Sequence, residues 1–587
     1  MPRLRLSGKV VERMLTQSNF FLLLIAAVTY YNYPSLDSRE RVADTRTEDI
    51  KHEYDFIVVG GGSAGCVLAN RLTEVPDWTV LLLEAGGDET VLSETPLIAQ
   101  LLWGTPLDWN YTTTPQKNAC LATGGVCGWP RGRVLGGSSA LNYMVYIRGN
   151  RRDYDGWAGL GNPGWSYEDV LPYFRLSEDN RNSSDSRYHG TGGYLTVEEN
   201  PFQTPLAESY VQGGVELGFR TGDLNAETQT GFMKLQATVR DGSRCSTSRA
   251  FLRPVRNRIN LSVAENSFVT RILFNGTRAT GVTFIRNNRQ YKVYATKEII
   301  LSAGAINSPQ LLMLSGVGPE EHLKGFNIPL VKNLSVGYNL HDHLGTPVYF
   351  STNPPVAVRN EDIENIDEIL EYARPPGGGV LTIPNGIEAV AMLNSSYVPA
   401  GLDYPDIEVH FSSFHHSESN NESVWIGLGL LTRPSSRGRI KLKSTDPFDY
   451  PLLDPAYYTS GNDLEIVMEA IEYVLSIGNT TALRRFNSTF RPDFYPLCSN
   501  LSVRCMAETY TTTIYHPVGT CKMGPGTDPD AVVDERLRVR GLEGLRVIDA
   551  SIMPFISDGN TNAPVVMIAE RGSDFIKTDH NQTPRIN

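Results

Sequence analysis

The chain contains a glycine cluster placed where a backbone could wrap a phosphate: Gly60-Gly61-Gly62-Ser63-Ala64-Gly65. A short β-branched run, Tyr54-Asp-Phe-Ile-Val-Val59, leads into it, and Cys66-Val-Leu-Ala-Asn-Arg-Leu-Thr73 follows with helical spacing. In that setting Gly60 permits a tight turn and Gly62 lets the backbone approach a pyrophosphate. Gly65 lets the helix lie close on the strand. A helix opening at Ser63 and Ala64 offers free N–H groups and partial positive charge to an anion. A second buried run, Thr79-Val-Leu-Leu-Leu83, ends at Glu84, whose carboxylate can accept hydrogen bonds from ribose hydroxyls and would repel a 2′-phosphate. These parts make a strand–helix–strand unit for a dinucleotide, and a flavin or a nicotinamide dinucleotide satisfies it equally.

The elements that must position this unit are spread along the chain. Residues 85–160 are rich in Gly and Trp and hold a second Gly cluster at 132–139. From about 160 to 290, helical stretches mix with strands such as Leu261-Ser-Val263 and Gly281-Val-Thr-Phe284. Lys297-Glu-Ile-Ile-Leu-Ser302 is another buried strand, running through Ala303-Gly304-Ala305 into a helix. Residues 353–405 are rich in Pro, Gly and Asn and read as a loop or lid. Ile407-Glu-Val-His-Phe411 and Arg439-Ile-Lys-Leu442 alternate like antiparallel strands. The pattern predicts a nucleotide domain assembled from separated segments, with a strand-rich substrate lobe inserted.

The second cluster decides between the dinucleotides. Gly132-Arg-Val-Leu-Gly136-Gly137-Ser138-Ser139-Ala-Leu141-Asn142, with the run on to Asp155, resembles the first signature of the glucose–methanol–choline (GMC) oxidoreductases. Gly304-Ala-Ile-Asn-Ser-Pro309 through Gly318 resembles the second. His516-Pro-Val-Gly-Thr-Cys-Lys-Met-Gly524 and Val547-Ile-Asp549-Ala-Ser-Ile-Met-Pro554 are similar to the family's C-terminal region, in the style of arthropod members. The resemblance covers about residues 54–350 and 432–577. It implies an α/β fold: a Rossmann-like FAD-binding domain built from discontinuous segments, plus an α+β substrate domain with an antiparallel sheet. The expected organisation is a signal peptide at 1–30, a GMC N-terminal region at 54–350, a substrate-lobe segment at 351–431, and a C-terminal region at 432–577.

The resemblance also implies FAD and oxidation of an alcohol, with hydride passing to flavin N5 while a His takes the hydroxyl proton. His516 matches that His, and an imidazole titrates near working pH. Asn560 matches the family's second active-site position; an amide is no base, but it can orient the alcohol oxygen. By the same carry-over Gly136, Gly137, Ser138, Asn142 and Val145 lie along the isoalloxazine and ribityl chain. Val269 touches adenine through its backbone, Asp549 and Ala550 contact the ribityl–pyrophosphate end, and Asn562 meets the ring edge. Relatives that bind FAD covalently use a His in the first-signature loop. This chain has Leu141 there, so non-covalent FAD is expected.

Several other residues invite a functional reading against a structural one. His341-Asp342-His343 has no third ligand and reads as structural, and no metal site is expected. His415-His416 reads as a strand-end or surface pair. Glu388 could reach the substrate entrance but reads as a solvated Glu. Trp109 and Tyr515 flank the motifs, with packing the default.

Composition bounds the remaining classes. The chain has 587 residues, 41% hydrophobic and 20% charged, which fits a globular protein of two to four domains. A net charge of −12 without a Lys/Arg stripe argues against nucleic acid as a partner. Arg3, Arg5, Lys9 and Arg13 precede a short apolar run, Phe20 to Val28, too short for a stable span. It reads as a secretory signal cleaved between Ala27 and Ser35, with an uncleaved anchor or an organelle presequence as alternatives. Eleven N-x-[S/T] sequons, at Asn110, Asn182, Asn260, Asn275, Asn333, Asn394, Asn421, Asn479, Asn487, Asn500 and Asn581, agree with a secreted, extracellular glycoprotein. Of seven cysteines, Cys120 with Cys127 and Cys498 with Cys505 are plausible local disulfides, whereas Cys66, Cys245 and Cys521 read as buried thiols.

The expected function is therefore oxidation of a sugar, aromatic or small alcohol, with oxygen or a quinone as electron acceptor. A cyanohydrin lyase on the same fold and a non-catalytic flavoprotein are the alternatives.

Overall fold

The computed structural model describes residues 8–31, 38–182, 185–415 and 422–586, with side chains from residue 19 onward. Asn421, His416 and residues 32–35 of the expected cleavage window lie outside the described residues.

Two sheets carry the site. The strands in chain order are β1 (Glu53–Val59), β2 (Val80–Leu83), β3 (Gly231–Lys234), β4 (Leu261–Ala264), β5 (Phe268–Asn275), β6 (Arg278–Arg286) and β7 (Arg289–Leu301). They continue with β8 (Leu344–Ser351), β9 (Ile387–Leu393), β10 (Ile407–Ser412), β11 (Val424–Leu431) and β12 (Leu545–Val547). The helices used below are α1 (Gly8–Tyr30), α2 (Ser63–Leu72), α3 (Pro205–Glu216), α4 (Gly304–Leu314), α5 (Asp463–Gly478) and α6 (Asn562–Asp579).

The first sheet runs β4-β2-β1-β7-β6-β5, with β12 also paired to β7. Strands β4, β2, β1, β7 and β12 are parallel, so their carboxyl ends open on one edge. β7 is long enough to do two jobs: its first half pairs antiparallel with β6, while its second half lies between β1 and β12. Phe56, Ile57, Val58 and Leu81, Leu82 are fully buried, as a parallel sheet covered on both faces requires. The discontinuous assembly is plain: segments some 490 residues apart in sequence share this sheet.

The second sheet is antiparallel, with β8, β11, β10, β9 and β3 adjacent in that order and two-residue strands on the outer side of β8. One face packs on α5. A Cβ on Gly427 would lie 2.2 Å from Val474, and one on Gly429 would lie 3.0 Å from Ala470, so only glycine lets the helix sit this close. Ile407, Val409 and Phe411 share that face by strand alternation, and Glu408 and His410 point the other way. β9 corrects the reading of 353–405 as loop. Ile-Glu-Ala-Val-Ala-Met-Leu is buried along its whole length between β10 and β3.

Both expected disulfides are present, Cys120–Cys127 and Cys498–Cys505, and Cys66, Cys245 and Cys521 are buried thiols. At the N-terminus α1 buries Phe20, Leu24, Ala27 and Val28 in a cluster with Ile98, Ile369 and Tyr372. Among the described residues no helix is long and apolar enough to cross a membrane.

Candidate active site

Three helices begin at the carboxyl edge of the parallel sheet: α2 after β1, α4 after β7 and α6 near the end of β12. Gly60 turns the chain from β1 into α2 at φ +101°, where a Cβ would lie 2.6 Å from the Ser302 carbonyl oxygen. The second glycine cluster closes against the first. A Cβ on Gly137 (φ +53°) would lie 2.6 Å from the Gly62 Cα, whereas one on Gly62 would meet nothing nearer than 3.8 Å. Backbone thus replaces side chain on both walls of a narrow approach, with helix N-termini behind it.

A single cleft runs from this point to the second sheet, with about 1780 Å³ free of protein atoms, its open mouth included. Gly60, Gly62, Ser63, Ala64, Glu84, Gly137, Ser138, Asn142, Val145, Val269, Asp549, Ala550 and Asn562 all line it, together with His516 and Asn560. Gly65 and Gly136 do not. A Cβ on Gly65 would lie 1.9 Å from the Gly60 carbonyl oxygen, so its work is helix packing. Gly136 also braces the two clusters: its N–H donates to the Gly61 carbonyl at 2.8 Å.

The carboxylates at the strand ends are anchored before any ligand enters. Glu84 accepts from the Gly61 N–H at 2.7 Å and the Gly86 N–H at 2.8 Å, and burial pushes its pKa up. Each oxygen keeps a second lone pair for a ribose hydroxyl. Asp549 accepts from the Gly304 N–H at 2.9 Å, the Ser308 hydroxyl at 2.6 Å and the Ser551 N–H at 2.8 Å, so it caps α4. The Asn562 Oδ1 accepts from the Ser63 hydroxyl at 2.7 Å and joins the starts of α6 and α2. This set of close-approach glycines, helix N-termini and a buried strand-end carboxylate fits an unphosphorylated dinucleotide such as FAD.

His516 and Asn560 lie at the other end of the cleft. His341-Asp342-His343, expected to be structural, is the strip that builds this end. The Asp342 carboxylate accepts from the His516 N–H at 2.6 Å, the Tyr457 hydroxyl at 2.6 Å and the Thr513 hydroxyl; burial pushes its pKa up to about 6. His343 meets His516 ring to ring, Nδ1 to Nδ1 at 3.0 Å. The His341 Nε2 accepts from the Ile556 N–H at 2.8 Å and fixes the turn that leads to Asn560. Tyr515 adopts φ +64°, rare for a bulky residue, with its N–H on the Thr513 hydroxyl and its carbonyl held by Arg131 at 2.5 Å. Burial holds the His516 pKa well below the ordinary imidazole value, reinforced by His343, His410 and Arg131. The ring is therefore neutral and ready to accept a proton.

Sequence reasoning missed Arg131 and His410, which both line the cleft. The available signal for His410 was two titratable residues, Glu408 and His410, spaced i, i+2 in an otherwise apolar strand. Trp109 and Tyr515 also line the cleft, and Trp103 stacks on Tyr143 at 5.7 Å while meeting Tyr515 edge-on at 5.0 Å. Glu388 is neither solvated nor in the cleft. It is buried on β9, accepts from the Thr204 N–H at 2.5 Å and hydroxyl at 2.7 Å at the start of α3, and burial pushes its pKa up to about 7. His415 packs between Tyr349 and Phe494. Among the described residues no cluster has the makings of a metal site.

A dinucleotide cleft ending in a neutral imidazole and an amide defines a redox enzyme that handles an O–H proton. Sequence comparison gives the class its family. Residues 54–345 and 434–569 match the GMC oxidoreductase N-terminal and C-terminal profiles, and the chain belongs to that family. It is 42% identical over 551 residues to glucose dehydrogenase (FAD, quinone) of Drosophila melanogaster, covering 90% of this chain and 87% of that protein. It is 39% identical over 540 residues to alcohol dehydrogenase (acceptor) of Pseudomonas putida, covering 89% and 95%. The fold superposes on pyridoxine 4-oxidase from Mesorbium loti with a TM-score of 0.78 at 32% identity, over 90% of this chain and 99% of that one. The protein is an FAD-dependent oxidoreductase acting on CH–OH groups.

Proposed function

We propose that the protein oxidises a sugar, aromatic or small alcohol with His516 as general base and Asn560 as the group that orients the hydroxyl. The observation that carries this is the fixation of His516: its backbone on Asp342, its ring on His343, within the cleft that the glycine clusters enclose. With Nδ1 engaged by His343, Nε2 is the nitrogen left for substrate. An alcohol O–H is too weak an acid to ionise alone near neutral pH, so a base within hydrogen-bond reach must take the proton as the C–H bond is broken. Bound FAD supplies the acceptor for the hydride. The Asn560 amide fixes the oxygen against His516, and Trp103, Tyr143 and Tyr515 wall the site against water.

Anaerobic mixing with glucose, choline, benzyl alcohol and a cyanohydrin tests this reading. Bleaching of the flavin band by at least one alcohol is expected; cyanohydrin cleavage with the oxidised spectrum unchanged would make the protein a lyase. The name of the Drosophila relative favours a quinone over oxygen as the physiological acceptor. FAD is expected to be dissociable because Leu141 presents only hydrocarbon to the cleft. Acid precipitation should leave the yellow colour in the supernatant, and colour in the pellet would contradict this.

Secretion and glycosylation belong to the same proposal. Asn110, Asn275 and Asn333 are exposed and can carry glycans. Asn260 cannot, since its Nδ2 donates to the Thr73, Val75 and Trp78 carbonyls. Glycopeptide mapping of protein from a secreting insect cell should find glycan at the first three sites and a bare Asn260.

A further inference from the structure

Glu408 is a fully buried carboxylate that the reaction as described does not use. Its Oε1 accepts from His410 Nε2 at 3.0 Å, and its Oε2 is buried without a hydrogen-bond partner. His343 Nε2 is likewise buried without one. Strand register puts the three on one face of the antiparallel sheet. Leu344 pairs with Leu431, and Leu431 with Ile407, so His343, Glu408 and His410 fall on the side opposite Ile407, Val409 and Phe411. That side roofs the cleft, where His410 is exposed to the cavity.

The Nδ1–Nδ1 contact between His343 and His516 admits one proton. If His343 held it, the buried His343 Nε2 would be left bare on the sheet face that also carries Glu408; burial first, and His410 with it, hold the His343 pKa down to about 4, while Glu408 and the backbone of Thr432 and Ser557 pull the other way. The stable arrangement puts the His343 proton on Nε2. His516 then donates its Nδ1–H to His343, and His516 Nε2 is a bare lone pair.

We propose that Glu408 is a positioning residue: its carboxylate sets the tautomer of His343, and through it that of His516, while holding His410 over the substrate. This rests on the reading of His516 as the base. When His516 takes the alcohol proton it becomes an imidazolium, and Glu408 is the buried negative charge that steadies it across His343. The groups facing His516 are His343 and Asp342 before β8, His410 on β10, Arg131 and Tyr515; Glu408 stands behind His410 and His343, and Tyr210 of α3 also feels it.

Glu408→Gln keeps the volume and an acceptor for His410 but removes the charge. In the FAD-loaded enzyme kcat/KM should fall about tenfold, a fraction of the roughly 10²–10⁴ that a general base supplies. Loss of the negative charge makes the imidazolium harder to form, so the acid limb of the pH profile should move down by about half a unit or more. A purely structural residue would not move that limb. A second readout needs no turnover: 15N-histidine NMR should show a bare His516 Nε2 in the parent and mixed tautomers in the variant. An acid limb that stays in place, or an unchanged histidine spectrum, overturns the proposal. So does failure of both Glu408→Gln and the volume-matched Glu408→Met to fold, which would assign Glu408 to the sheet. A parent enzyme with no acid limb at all would instead sink the reading of His516 as base.

Discussion

Replacement of His516 by Ala should lower kcat/KM by about 10²–10⁴-fold, the usual contribution of a positioned general base. The flavin content and melting temperature should stay near those of the parent. The reason is local: the His516 backbone N–H donates to Asp342, a bond that Ala keeps, while the ring is what reaches substrate. Steady-state kinetics with the best alcohol from the panel would measure the loss. Activity within a few-fold of the parent would remove the imidazole from the mechanism and revive a non-catalytic or differently based protein.

The second large effect concerns the glycine approach. Gly137→Ala would put a Cβ 2.6 Å from the Gly62 Cα at φ +53°. The left-handed conformation alone costs an L-residue about 1–2 kcal/mol, and the collision adds to it by forcing the two clusters apart. The backbone cost falls on folding stability, whereas the collision opens the approach to the cofactor; a loss of about 1.4 kcal/mol there is about tenfold in FAD affinity, and at least that is expected. Gly124→Ala is the control. It has φ +68° with nothing within 4 Å of the new Cβ, so it carries the backbone strain without the collision. Absorbance ratios after gel filtration should show flavin lost from Gly137→Ala and retained by Gly124→Ala. Equal retention would mean that the close approach does not matter to the cofactor.

What could be read from the chain alone follows from which physics is local. The turn at Gly60 was legible because a positive φ between a buried strand and a helix leaves few residue choices. The alternation Ile407-Glu-Val-His-Phe411 was legible as a strand, but which side of it meets the cleft depends on α5, which begins some 50 residues later, covering the other side. For that reason Glu408 and His410 escaped notice. The same holds for His341-Asp342-His343: adjacent residues in sequence serve Ile556 and His516 from one short strip, a role invisible without the third dimension. β9 was lost for a different reason. Pro, Gly and Asn on either side made 353–405 look like a loop, and seven buried residues inside it were too few to stand out.

The central claim is that one neutral imidazole draws the alcohol proton beside the bound flavin. The most direct measurement is the rate of anaerobic flavin reduction by the preferred alcohol as a function of pH. The account predicts a single ionisation on the acid side, below the ordinary imidazole value, with a plateau above it. Burial first, and then His343, His410 and Arg131, press the His516 pKa downward. The limb should vanish in His516→Ala. A rate that is flat down to strongly acid pH, or that rises only near the ionisation range of tyrosine, would contradict it.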